Sequence, residues 1–158
     1  MCHYCGCRQI PLIIDFIAEH DAATSLAAAA IAAVDAGDLE GARGLLDKLA
    51  GDLRAHWAGE EHGLFAVMGQ SDEYVDYIAA LVKEHRELEM LLDAADLTRE
   101  ADRAALRAAI EELAPHIRKE EDGLFPAALI SMGGDDWNRS LAAWHEAHPH
   151  SRLKTRGS

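Results

Sequence analysis

An all-α fold follows from three observations on the 158-residue chain. Alanine is abundant and proline scarce. Apolar side chains recur at three- and four-residue steps over long stretches. The only strand-like signals are short apolar runs, such as Leu12-Ile13-Ile14, that lie next to helical patterns. A chain of this length fits one domain and buries roughly two-thirds of its unfolded surface, enough for a core of its own.

From about Pro11 to Val34, the positions Leu12, Phe16, Ile17, Leu26, Ile31 and Val34, padded with alanine, predict a first helix that starts at its proline. Ala36-Gly37-Asp38 supplies a stop, a turn and a new cap. A second helix is predicted from Asp38 to about Met68, with Gly69 closing it. Ser71-Asp72-Glu73 opens a third, which carries Tyr74, Tyr77, Ile78, Leu81 and Leu88 and ends near Asp96. Thr98 restarts the pattern for a fourth, in which Pro115 should kink the axis or leave a carbonyl unpaired beside His116. Asp135 to about Ala147 predicts a short fifth helix laid across the bundle's end. Short connections favour antiparallel neighbours, so the expected architecture is an up-down-up-down four-helix bundle over residues 11–132. A Cys-rich tail, 1–10, precedes it, and a short helix with a tail, 133–158, follows.

The formal charge of −13, from 28 acidic against 15 basic side chains, repels nucleic acid and anionic lipid. Without a run of about 18 apolar residues or a secretory pattern, the chain reads as soluble and cytoplasmic, with no membrane partner. Cys2, Cys5 and Cys7 are too clustered and too few to staple the fold. With His3 they have ligand types for a soft metal or a thiol switch, against the plainer reading of a flexible tail.

The chemistry lies in a duplication. Leu53 to Phe65 recurs as Leu113 to Phe125, so His56-x-x-x-Glu60 is matched by His116-x-x-x-Glu120, and both copies continue Glu-x-Gly-Leu-Phe. Upstream of each stands a Glu-His pair, Glu19-His20 and Glu84-His85. A His and a Glu four apart share a helix face, and in an antiparallel bundle all six candidates fall in one slab, within about two turns of one another. Burying Glu60 and Glu120 uncompensated would cost several kcal/mol each. Imidazole suits iron, zinc and copper, and carboxylates can bridge, so four histidines and two glutamates favour a paired site over a single tetrahedral zinc.

Through His20, His56-x-x-x-Glu60, His85, His116-x-x-x-Glu120 and the trailing Glu-Glu-x-Gly-Leu-Phe, the chain resembles the hemerythrin-like family of cation-binding proteins over about residues 11–130. The resemblance implies a four-helix bundle holding two non-haem iron ions, with Glu60 and Glu120 bridging and His20, His56, His85 and His116 terminal. An oxygen-carrying hemerythrin has a His-x-x-x-His pair on the third helix. Here Glu89 stands four after His85 and is the natural substitute ligand; Glu121 is a weaker substitute for Glu120.

Other residues receive plainer readings. Glu61 and Asp122 are expected to be solvated, His62 lacks a counterpart in the second copy, and Leu64, Phe65, Leu124 and Phe125 should roof the site. Tyr77 reads as a core tyrosine with a bonded hydroxyl, and Trp144 to His150 as a solvated tail rather than a surface metal site. The leading expectation is a di-iron redox protein that binds, reduces or consumes O2, H2O2 or NO, in defence or sensing. The alternatives are a reversible oxygen or iron binder without turnover, and a structural bundle with zinc or no metal.

Overall fold

Alanine decides how closely the first two helices meet. In a computed structural model describing residues 6–150, α1 (Ile13–Asp35) buries Ala23, Ala27 and Ala30 along α2 (Leu39–Gly59), which answers with Ala42, Leu46, Leu49 and Ala50. Side chains this small let two helix axes lie at the short end of the usual packing distance. The remaining elements are α3 (Phe65–Met68), α4 (Val75–Ala94), α5 (Glu100–Arg118), α6 (Phe125–Ser131) and α7 (Gly134–Ala147). No strand occurs among the described residues, and α1, α2, α4 and α5 are the long rods of the expected bundle.

Most boundaries fall near their expected places, and the differences have local causes. α1 begins at Ile13 rather than at the proline because Leu12 sits at φ 76°, outside helical space, with its N–H donated to Asp15. Asp38 caps α2 as expected, its carboxylate accepting from the Gly41 N–H at 2.9 Å. Ser71 spends its hydroxyl and carbonyl on a turn through Glu73 and Tyr74, so α4 waits until Val75. Thr98 is likewise held in a turn by Asp96, and α5 starts at Glu100.

The second and fourth periodic stretches are each interrupted in a way that periodicity does not show. α2 passes into a π turn over Glu60–Leu64 before α3, and α5 into another over Lys119–Leu124 before α6. Pro115 is not the cause, since α5 remains helical through it and the first copy has its π turn without a proline. What the two share is Glu-Glu-x-Gly-Leu. Such turns admit an extra residue and re-aim the side chains around them.

Two apolar layers result. One gathers Leu46, Leu49, Leu53, Leu92 and Leu106 with the alanines of α1; the other gathers Leu12, Phe16, Leu64, Phe65, Leu81, Leu124 and Phe125. Along every long rod, the candidate ligands lie between a member of one layer and a member of the other. α7 packs beside α2 and the first π turn, where Gly63 admits it: a Cβ there would stand 3.0 Å from the Ser140 Cα. Cys7 lies in a 3-10 turn, Cys7–Gln9, and is disulfide-bonded, whereas Cys2, Cys5 and His3 lie outside the described residues.

Candidate metal centre

All six expected residues meet. His20, His56, Glu60, His85, His116 and Glu120 are buried, the two glutamates completely. Their ligand atoms fall into two groups that could each hold a metal ion: His20, His56, Glu60 and Glu120 in one, and His85, His116 and Glu120 in the other. Glu120 belongs to both. Its Oε2 lies 2.9 Å from His20 Nε2 and its Oε1 2.9 Å from His116 Nε2. Glu60 also reaches both sides, with Oε1 3.1 Å from His56 Nε2 and Oε2 3.6 Å from His85 Nε2. The Nε2 atoms of His85 and His116 are 3.0 Å apart, two donors aimed at one point.

Four of the central atoms make no hydrogen bond within the chain: His20 Nε2, both Glu60 oxygens and Glu120 Oε2. A fully buried carboxylate with no hydrogen-bond donor on either oxygen is unfavourable, and nitrogen and oxygen donors facing one another across such a gap suit a cation. The histidines carry the same message in their electrostatics. Burial alone would lower the pKa of His56, but Glu60 and Glu19 outweigh it and raise it to about 9. His20, His85 and His116 are also raised, each against its own desolvation, by Glu120 and further carboxylates. For Glu120, desolvation and the neighbouring histidines pull in opposite directions; the histidines win and hold it well below the usual carboxylate range.

Behind each histidine stands a second carboxylate. His56 Nδ1 bonds Glu19 at 2.9 Å, His85 Nδ1 bonds Glu61 at 2.8 Å, His116 Nδ1 bonds Glu84 at 2.6 Å and His20 Nδ1 bonds Glu121 at 2.9 Å. The pattern is cyclic: α1 supplies the carboxylate for α2, the turn after α2 for α4, α4 for α5, and the turn after α5 for α1. With Nδ1 so engaged, Nε2 is left to face the centre. Each carboxylate is itself held, Glu61 by Arg86, Glu84 by Lys119, Glu121 by Arg8, and Glu19 by Trp144 Nε1 and His148 Nε2.

Several expectations are corrected here. Glu61 is half-buried and orients His85 instead of being merely solvated. Glu89 is no substitute ligand: its carboxylate pairs with Arg54 and Arg86 and belongs to neither group. Glu121 serves His20 from behind, which leaves the centre to Glu120. His148 is docked on Glu19 and stacked on Trp144 at 4.3 Å between ring centroids, so this part of the segment is not a solvated tail. Tyr77 is 38% exposed, but its hydroxyl does donate to the Lys119 carbonyl, at 2.6 Å. The aromatic roof is present: Phe125 stacks on His20 and Phe65 on His85, and Trp57 also stacks on His85, at 4.9 Å.

Glu19 and Glu84 were missed as functional residues. The signal is present, since each immediately precedes a candidate ligand histidine, one in each half, as Glu61 and Glu121 each follow a candidate ligand glutamate. What was lacking was the neighbouring helix that each serves.

A family model described as the Hemerythrin HHE cation binding domain matches residues 12–128, which takes in all six central residues and all four outer carboxylates. Neither the curated proteins nor the solved structures yield a match.

Proposed function

Because the chain belongs to the hemerythrin HHE cation-binding family, we propose that its His/Glu cluster holds two iron ions and that the protein binds and reduces or consumes a small oxidant or diatomic molecule, O2, H2O2 or NO. His20 and His56 would hold one ion, His85 and His116 the other, with Glu60 and Glu120 shared between them. The observation that carries this reading is the pair of donor groups joined through Glu120, with carboxylate oxygens that no hydrogen bond satisfies between four converging imidazoles.

When bound, paired iron supplies two one-electron steps close together, the requirement for reducing a peroxide or dioxygen. The chain's own part is positional. Glu19, Glu61, Glu84 and Glu121 fix the rings and keep each Nε2 lone pair inward. Phe65 and Phe125, with the apolar layer behind them, exclude water from one side of the slab. No described helix is long and apolar enough to cross a membrane, and with a charge of −13 we place the protein in the cytoplasm, acting on small molecules.

Metal analysis of protein made in iron-supplied cells tests the reading, with about two irons per chain expected. Less than about one would end the redox proposal. Glu60→Ala should abolish paired-iron spectra while leaving helical circular dichroism largely intact, because both apolar layers remain. Rapid loss of peroxide or nitric oxide then marks turnover, and stable, reversible oxygenation marks a carrier.

A further inference from the structure

The four outer carboxylates divide by what holds them. Glu61 and Glu84, behind His85 and His116, are held by Arg86 and Lys119, inside the matched residues 12–128. Glu121 and Glu19, behind His20 and His56, are held from outside that stretch. Arg8 pairs with Glu121 from the N-terminal side, and Trp144 and His148 seat on Glu19 from the C-terminal side. The His85–His116 half is thus supported from within the bundle and the His20–His56 half by both flanking segments.

The C-terminal flank is anchored by its own helix, α7, which buries Ser140 and Trp144. The N-terminal flank is slighter. Cys7–Gln9 is a single 3-10 turn that buries none of its residues. Its closing bonds run from the Gln9 N–H to the Gly6 carbonyl at 2.9 Å and from the Ile10 N–H to the Cys7 carbonyl at 3.4 Å. Hydrogen-bond geometry in such turns is poor, and a partly exposed ion pair like Arg8 with Glu121 returns no more than ordering a residue or two costs. The covalent bond beside Arg8 makes up the difference: Cys7 is disulfide-bonded, and Cys2 and Cys5 are the chain's other cysteines. In a cytoplasmic protein such bonds are usually transient or redox-sensing, so the placement proposed above makes this one a variable rather than a staple.

We propose that the Cys7 disulfide is a redox lock on the His20–His56 metal position. The bond holds the turn, the turn holds Arg8 on Glu121, and Glu121 holds His20 Nδ1, 2.9 Å away. Arg8 and Glu121 are positioning residues. A dithiol reductant opens the lock by thiol–disulfide exchange, leaving Cys7 and its partner as thiols and itself as a disulfide. Hydrogen peroxide closes it: the two thiols give up two electrons and two protons, the S–S bond forms, and the O–O bond breaks to leave two waters. The consequence for metal rests on the metal-holding reading above.

Two measurements test it on the full chain, either oxidised or reduced with dithiothreitol that is then removed without air. In metal-free protein, trypsin should cut after Arg8 at least about tenfold faster once the chain is reduced, because cleavage needs the turn to open. After loading with iron(II), transfer to a colorimetric chelator should show one of the two ions released about fivefold faster from reduced protein and the other unchanged. That effect is smaller than the loss of an orienting carboxylate itself, about tenfold or more. Arg8→Gln should release the same ion equally fast from oxidised protein and gain nothing from reduction, since both changes act through one contact. Cutting or release that ignores the disulfide, both ions quickened alike, or an Arg8→Gln variant that still responds to reduction would each overturn the proposal. Any of these in protein that binds two irons leaves the proposed function standing. Protein that takes up no iron overturns both.

Discussion

A single carboxylate behind each imidazole sets how well that imidazole can serve. Glu61 lies 2.8 Å from His85 Nδ1 and is steadied by Arg86, so removing it frees the ring to rotate and lowers its basicity. Glu61→Ala should weaken metal binding by about tenfold to a hundredfold, the usual effect of losing such an orienting partner. Competition with a chelating dye measures this, and unchanged affinity would mean that packing against Trp57 and Phe65 alone holds His85. Protons compete for the same nitrogens. With the His56 pKa raised to about 9, the metal-free protein binds a proton there at neutral pH that a metal ion must displace, so affinity should climb from pH 6 to 9. The sign for stability runs the other way. A raised histidine pKa stabilises the metal-free fold fully below about 6.5, and that contribution fades as pH rises through about 9. Thermal midpoints of chelator-treated protein should therefore fall between those limits, with a smaller fall in metal-loaded protein. A flat profile for the metal-free protein would contradict the coupling of His56 to Glu60.

The helical elements show where sequence is sufficient and where it stops. The offset that carries His56 to His116 also carries Glu60 to Glu120, and these with the lone histidines fix the centre from one dimension of information. The π turns are harder to see, because their hydrogen-bond pattern leaves no mark on apolar periodicity; only the repeated Glu-Glu-x-Gly-Leu betrays them. Which histidine Glu19 and Glu84 each serve is not legible, because a residue one position from a candidate ligand is turned about 100° away and faces a different helix. The seat of α7 was equally hidden, for it depends on a backbone approach. Gly63 allows Ser140 and Ala143 of α7 to come within contact of the first π turn. Gly63→Leu should cost about 1–3 kcal/mol by overpacking and push α7 off α2. The Trp144–Glu19 bond would go with it, read as a red shift in tryptophan emission and a weakened His56 half. A variant that keeps its emission and metal affinity would show that α7 adapts by sliding.

At the scale of the molecule, the polar slab is enclosed and its outer members are paired: apolar layers above and below, histidines within, carboxylates behind them and Arg8, Arg86 and Lys119 at the rim. The link from the turn after α5 back to α1, Glu121 to His20, is of the same kind as the three that follow chain order. A girdle of four such links has no seam. A circular permutant opened at Gly37, with its present ends joined by a flexible linker long enough to span them, should thus take up as much metal as the parent. Reduced uptake by a folded permutant would assign to connectivity what is here credited to side chains. Nor can one rod of the four be drawn outward alone: each is fastened on both flanks, and loosening any of them opens two clasps at once.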